Sequence, residues 1–260
     1  MMEIMIRLED VTYSYNRQPL IHGMDLTFEK GKITTIVGPN GCGKSTVIKL
    51  SSRLLHPDKG KVFLENREIG VMKRKEFARS VSVLLQSSYI PDMAVEDAVM
   101  SGRYPHQSPI SFSSAEDKRL TEYAMEMTYC QSLRNKNMRQ LSGGERQRVF
   151  LAMVLAQDTP VIILDEPTTY LDINVSYEIM ELINSLNRKL GKTIVLVLHD
   201  LNLALNYSDR LAVMENGKVV AYEEASDHRV HRCISDIFKV DIRRMTEKGK
   251  SYYYSFKLEN

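Results

Sequence analysis

Apolar residues along this chain fall in short runs, and the spacing of those runs changes twice. Residues 4–13, 24–28 and 33–37 alternate or cluster β-branched and aromatic side chains in the manner of strands. The third run ends in a glycine-rich turn, after which a helix is predicted from 44 to about 53. Further strands are predicted at 61–65, 81–85, 161–164, 193–198 and 211–215, the last closed by the turn Asn216-Gly217. Short buried strands separated by helices imply an α/β fold with a largely parallel sheet. Between Gln86 and Gln157 the period becomes helical: Ser113-Ser114-Ala115-Glu116 has the form of a capping box, and apolar positions follow at helical spacing through Met125 and Tyr129. This reads as a helical insertion in an α/β core. From about Asp227 the tail adds a helix and then the run Tyr252-Tyr253-Tyr254, placed on a strand.

Composition narrows the class. A chain of 260 residues that is 43% hydrophobic can bury a sizeable core, and no repeat or linker divides it, so a single unit is expected. The formal net charge of +2 gives no strong field for holding a polyanion, which argues against a primary nucleic-acid binder. Cys42, Cys130 and Cys233 lack the spacing of a zinc site or a disulfide framework and suit a reducing compartment. No apolar run approaches the roughly 20 residues of a membrane helix, so the chain is expected to be neither secreted nor membrane-spanning, and any membrane role must come through a partner.

The clearest chemistry lies at Gly38-Pro39-Asn40-Gly41-Cys42-Gly43-Lys44-Ser45-Thr46, between a hydrophobic strand and a helix. Glycines let the backbone curl so that successive N–H groups meet phosphate oxygens, and the helix presents its positive end. Lys44 is then placed for the β and γ phosphates of a nucleotide, and the Ser45 hydroxyl for Mg²⁺. By composition alone such a pattern arises in about one chain of this length in a hundred, and the flanking strand and helix lower that further. Cys42 is a small spacer in the loop, whose thiolate the helix end and Lys44 would favour.

A second element matches it. Val161-Ile162-Ile163-Leu164 is an apolar strand ending in Asp165-Glu166, which places two carboxylates at the carboxyl edge of the sheet, where α/β proteins gather ligands. Asp165 is the candidate on the Mg²⁺ side, and Glu166 the candidate general base for an attacking water. Further on, Leu141-Ser142-Gly143-Gly144-Glu145-Arg146-Gln147-Arg148 leads into an apolar helix at 149–156, giving a second anion-binding helix start.

Residues 141–147 resemble the signature motif of ABC ATPases, lying between a Walker A loop at 38–46 and a Walker B strand at 161–166 in that family's order. The resemblance extends over the whole chain. It implies a P-loop NTPase with a RecA-like, mostly parallel sheet core, an antiparallel β subdomain and an inserted α-helical subdomain at about 87–157, followed by a C-terminal extension at about 227–260. It also implies roles for Tyr15 as the aromatic on adenine, Gln86 as the Q-loop glutamine and a cation ligand, Thr169-Tyr170-Leu171-Asp172 as the D-loop, and His199 as the switch histidine. Two copies would face each other head to tail, the Ser142, Gly143 and Gly144 of one sealing ATP on the Walker A loop of the other.

Within the family, the runs 100–107 and 166–173 and Leu198-His199-Asp200-Leu201-Asn202 resemble the ATPases of ferric-siderophore, haem and vitamin B12 importers. The resemblance implies integral-membrane permease partners, an indirect link to a substrate-binding protein, and a peripheral position on the cytoplasmic face of the membrane. A soluble ABC ATPase acting on ribosomes, DNA or iron–sulfur assembly, and a nucleotide-binding scaffold, are the alternatives. The chain departs from the pattern in its basic, tyrosine-rich terminus and at Met153.

Overall fold

The computed structural model describes residues 3–86, 89–107 and 113–257. In chain order the elements are β1 (Ile4–Tyr15), β2 (Gln18–Glu29), β3 (Ile33–Val37), α1 (Lys44–Ser51), β4 (Lys59–Leu64), β5 (Arg67–Glu68), α2 (Arg74–Ala78), β6 (Val81–Leu84), α3 (Val95–Ser101), α4 (Ala115–Met127), α5 (Gly143–Ala156), β7 (Val161–Asp165), α6 (Ile173–Leu190), β8 (Thr193–Val197), α7 (Leu201–Tyr207), β9 (Arg210–Glu215), β10 (Lys218–Glu224), α8 (His228–Phe238), β11 (Val240–Glu247) and β12 (Lys250–Lys257). They gather into two compact units, one of residues 1–71 with 193–260 and one of residues 72–192.

In the first unit β3 lies between β8 and β9 and is parallel to both, Ile33 opposite Ile194 and Thr34 opposite Arg210. Every residue of β3 and β8 is buried, which is why both read as continuous runs of β-branched and aliphatic residues, threonines included, rather than as alternating ones. β10 closes this layer antiparallel to β9. A separate antiparallel sheet, in the order β2-β1-β4-β5, supplies the β subdomain. The Asn16-Arg17 turn between β1 and β2 holds both central residues at positive φ, as the right-handed twist of a two-residue hairpin requires.

In the second unit β6 and β7 are parallel, Val81 opposite Val161, and α3, α4 and α5 pack on one another. The three helices meet around a buried ion pair. Arg103 Nε donates to Asp117 Oδ1 at 2.9 Å and its Nη1 to the Ala156 carbonyl at 2.7 Å, while Asp117 Oδ2 accepts from the Ser114 N–H and hydroxyl. The α4 cap is therefore Ser114 with Asp117, one residue later than the Ser113/Glu116 pairing expected. The shift is physical: Asp117 is claimed from inside by Arg103, whereas Glu116 pairs on the surface with Arg119. Two boundaries also move. α1 ends at Ser51, since Arg53 turns to a positive φ of 58°, and β2 starts at Gln18, six residues before the expected Met24. α5 starts at Gly143, directly after the Ser142 expected to open it. The tyrosine run lies on β12, antiparallel to β11, and residues 258–260 fall outside the described residues.

Candidate functional site

The phosphate loop belongs to the first unit. Gly43 sits at φ 104°, a region closed to side chains with a Cβ, and this turns the chain from β3 into α1 with no side chain capping the helix. The helix thus begins without a side-chain cap, an arrangement that suits an anion. Lys44 is buried and its Nζ donates to the carbonyls of Gly38 at 2.8 Å and Pro39 at 3.0 Å, so the ammonium is folded back over its own loop.

The loop is buttressed from behind by the β9–β10 hairpin. A Cβ on Gly38 would stand 2.3 Å from the Met214 carbonyl oxygen, and Gly217 donates its N–H to the Cys42 carbonyl at 3.1 Å. Asn216-Gly217 was legible as a turn, but nothing local in the sequence says that it supports residues 175 positions earlier. Cys42 itself is buried, and burial pushes its thiol up despite the opposing pull of Lys44.

Tyr15 ends β1 with 41% of its surface exposed and its ring edge-on to Tyr13, centroids 4.9 Å apart. It offers an open aromatic face. His199 is exposed just beyond β8, and Asp200 then caps α7 by accepting from the N–H groups of Asn202 and Leu203 at 2.8 and 3.1 Å.

The second unit carries the acidic residues. β7 delivers Asp165, 4% exposed, to its carboxyl end. Glu166 follows at φ 56°, a left-handed conformation that is strained for glutamate and is typical of residues held for function. Its Oε2 accepts from Gln86 Nε2 at 2.5 Å and from Thr169 Oγ1 at 3.0 Å. The sequence-predicted Gln86 and Glu166 are thus brought together from 80 positions apart, with Thr169 as a partner that sequence reasoning had placed only in the D-loop.

Ser142 caps α5. Its hydroxyl accepts from the Glu145 N–H at 3.3 Å, and Glu145 Oε2 accepts from the Ser142 N–H at 2.9 Å. These bonds to Ser142, with Lys136 beside it, hold the Glu145 carboxyl below its usual range. A cavity of about 340 Å³ opens here, lined by Ser142, Gly143, Gly144, Arg148, Leu171 and Asp172 among others. Asp172 caps α6 in turn, accepting from Val175 N–H at 2.9 Å, so two helix starts border one cavity. Gly144 is needed for that closeness: a Cβ would come within 2.8 Å of Val175.

Lys44, the N–H groups at the start of α1 and the open ring of Tyr15 fit a nucleotide triphosphate. The candidates for Mg²⁺, namely the Ser45 hydroxyl, the Asp165 carboxylate and the Gln86 amide oxygen, are all hard oxygen donors of the kind that cation takes. Since Gln86 points its nitrogen at Glu166, its oxygen is the end available to a cation.

The comparisons agree with this chemistry. A family model described as ABC transporter matches residues 21–169. The chain is similar to the iron(3+)-hydroxamate import ATP-binding protein of Bacillus subtilis, with 37% identity over 92% of this chain and 89% of that one. It is 41% identical to the ferric enterobactin transport ATP-binding protein of Escherichia coli, over 83% of this chain and 80% of the relative. Among solved structures it resembles the dimeric bacterial ABC transporter cassette MJ0796 with a TM-score of 0.74 and 28% identity, covering 86% of this chain and all of that one.

Proposed function

The chain belongs to the ABC transporter family, and from that premise we propose that it is the ATP-hydrolysing subunit of an importer that draws an iron–siderophore or similar metal chelate through separate permease subunits. The observation that carries the reading is the strained Glu166, held by Gln86 and Thr169 at the end of β7 in a chain whose relatives include iron-chelate import subunits. A scaffold that only bound nucleotide would have no need of a carboxylate so constrained.

In the proposed cycle Tyr15 stacks on adenine, and the residues from Gly38 to Thr46 wrap the phosphates. Lys44 leaves its loop carbonyls for the β and γ phosphates. Ser45, Asp165 and Gln86 would hold Mg²⁺, which would supply positive charge to the phosphate oxygens. Glu166 and His199 position the water for in-line attack, and charge developing at the γ phosphate is met by Lys44 and backbone N–H groups. A second copy of the chain presents Ser142, Gly143, Gly144 and Asp172 to the nucleotide head to tail. Among the described residues no helix is long and apolar enough to cross a membrane. The work is delivered to integral-membrane partners at the cytoplasmic face, and through them to a substrate-binding protein. The whole chain acts as one nucleotide-binding domain with its helical insertion.

The test is uptake of radio-iron chelates by cells with the gene, without it, and with Glu166→Gln. Loss of uptake in the last two, with ATP binding retained by the variant and hydrolysis down about 10²-fold or more, is expected. Unchanged uptake across hydroxamate, catecholate, haem and cobalamin cargoes excludes the importer reading, and near-normal hydrolysis by the variant removes Glu166 as the base.

A further inference from the structure

The tail after α8 is the part of the chain to which neither the motifs nor the proposed cycle gives work. β12 is an edge strand; beyond its own hairpin it packs mainly against α7, and its Tyr253 also meets the His231 ring of α8 edge-on, centroids 4.8 Å apart. Its hydrogen bonds to α7 come from two asparagines. Asn206 both donates from Nδ2 to the Tyr253 carbonyl at 2.6 Å and accepts from the Tyr253 N–H at 2.9 Å, as a neighbouring strand would. Asn202 Oδ1 accepts from the Ser255 N–H at 2.8 Å and from its hydroxyl at 3.1 Å. The spacing explains the fit: four helical residues advance about 6 Å and two strand residues about 6.7 Å, so side chains at i and i+4 of a helix match alternate residues of an edge strand. The hairpin is otherwise held off the sheet. An open cavity of about 880 Å³ lies beside it, lined by Tyr253, Ser251 and Arg244 on the hairpin and by Glu29, Asp209 and Arg210 on the core.

We propose that this hairpin is a brace for the switch histidine, with Asn202 and Asn206 as positioning residues that set His199 through α7. The path is short. Asn202 holds the hairpin by its side chain and gives its own N–H to Asp200, the residue next to His199. A helix of seven residues has little rigidity of its own, and tying its exposed side to a two-stranded ribbon fixes both its axis and the loop that precedes it. The inference rests on His199 acting at the γ phosphate, as the proposed function has it.

The amide chemistry gives a discriminating set of variants. Asn202 is used only as an acceptor toward the hairpin, so Asn202→Asp keeps both bonds and is expected to retain kcat, whereas Asn202→Leu loses it. Asn206 donates as well as accepts, so Asn206→Asp sets a carboxylate against the Tyr253 carbonyl and is expected to lower kcat about fivefold to tenfold, the scale of one hydrogen bond, with KM for ATP within roughly twofold. The decisive measurement is a double-mutant cycle in the full-length chain. In a His199→Ala background, Asn206→Asp is expected to cause no further loss, because both act through one group. An equal loss in both backgrounds, or unchanged kcat in Asn206→Asp, overturns the brace. Full turnover in His199→Ala alone overturns the role of the histidine and the brace with it, a result distinguishable from failure of the brace by itself.

Discussion

Two helix starts in this molecule are built from small residues and read alike in the sequence, yet they are finished in opposite ways. α1 opens on Gly43 at φ 104° with no side-chain cap, and the nearest cation, Lys44, is folded onto the loop's own carbonyls. α5 opens on Ser142 and is closed by a reciprocal box with Glu145. The first terminus keeps its amides for a ligand within the same chain. The second is satisfied on its own, and in the proposed dimer it would meet a partner's nucleotide. A self-capped terminus binds an anion only by exchanging one set of hydrogen bonds for another, so its affinity alone is low and its engagement conditional. That property suits the head-to-tail closure proposed above.

The largest effect expected from this contrast is on nucleotide affinity. Lys44→Ala removes the charge from the uncapped terminus and should weaken ATP binding to the isolated chain at least about 100-fold, at roughly 1.4 kcal/mol per tenfold, while Ser142→Ala leaves it within about twofold. Titration with a fluorescent ATP analogue checks both, and equal losses would break the comparison. Next in size is the stability of the helical unit that presents the second terminus. Arg103→Ala leaves the Asp117 carboxylate buried without its cation, and a cost of about 3–5 kcal/mol is expected in denaturant unfolding.

The pH dependence of that unit has a definite sign. Burial alone would raise the Asp117 carboxyl, but the bonds from Ser114 and Arg103 outweigh it and hold the group below its ordinary 3.8. Glu145 is likewise depressed, chiefly by the Ser142 N–H. A carboxylate depressed by folding adds stability above its unfolded value, and that stability is lost as pH falls through the folded one. Acid unfolding of the wild type should therefore steepen below about pH 4, and Asp117→Asn should flatten it.

Smaller effects sharpen the picture. Ser142→Ala removes the α5 cap and should cost about 1 kcal/mol in unfolding, while hydrolysis by the assembled dimer falls more than ATP binding does. Smallest of all is thiol reactivity. Burial raises both Cys42 and Cys233, but Cys42 is 6% exposed whereas Cys233 is only partly buried, so alkylation near neutral pH should reach Cys233 first. Faster labelling of Cys42 would mean that the loop opens in solution.

Much of the fold and site was legible because the information is local. β3 is a buried, β-branched run that ends in a turn and β7 is four aliphatic residues followed by a carboxylate, and the loop from Gly38 to Thr46 is a contiguous motif whose conformation follows from its glycines. Most strand edges were legible to within two residues, whereas the first half of β2 and all of β10 and β11 were not, their exposed positions breaking the apolar pattern, and Ser113 is no worse a cap than Ser114 until Asp117 has a partner.

What the sequence determined by itself, then, is the set of chemical groups and the elements that carry them. The tertiary structure decided which of those groups meet. Gln86 and Glu166 are 80 positions apart, Asn206 and Tyr253 are 47, and Arg103 reaches the carbonyl of Ala156 across 53. Each pairing depends on side-chain hydrogen bonds that are short-ranged and indifferent to sequence separation. Backbone propensity and hydrophobic period set the local path of the chain; only its packing brings a particular donor within 3 Å of a particular acceptor, and the proposed roles of Thr169, Asn202 and Asn206 come from that step alone.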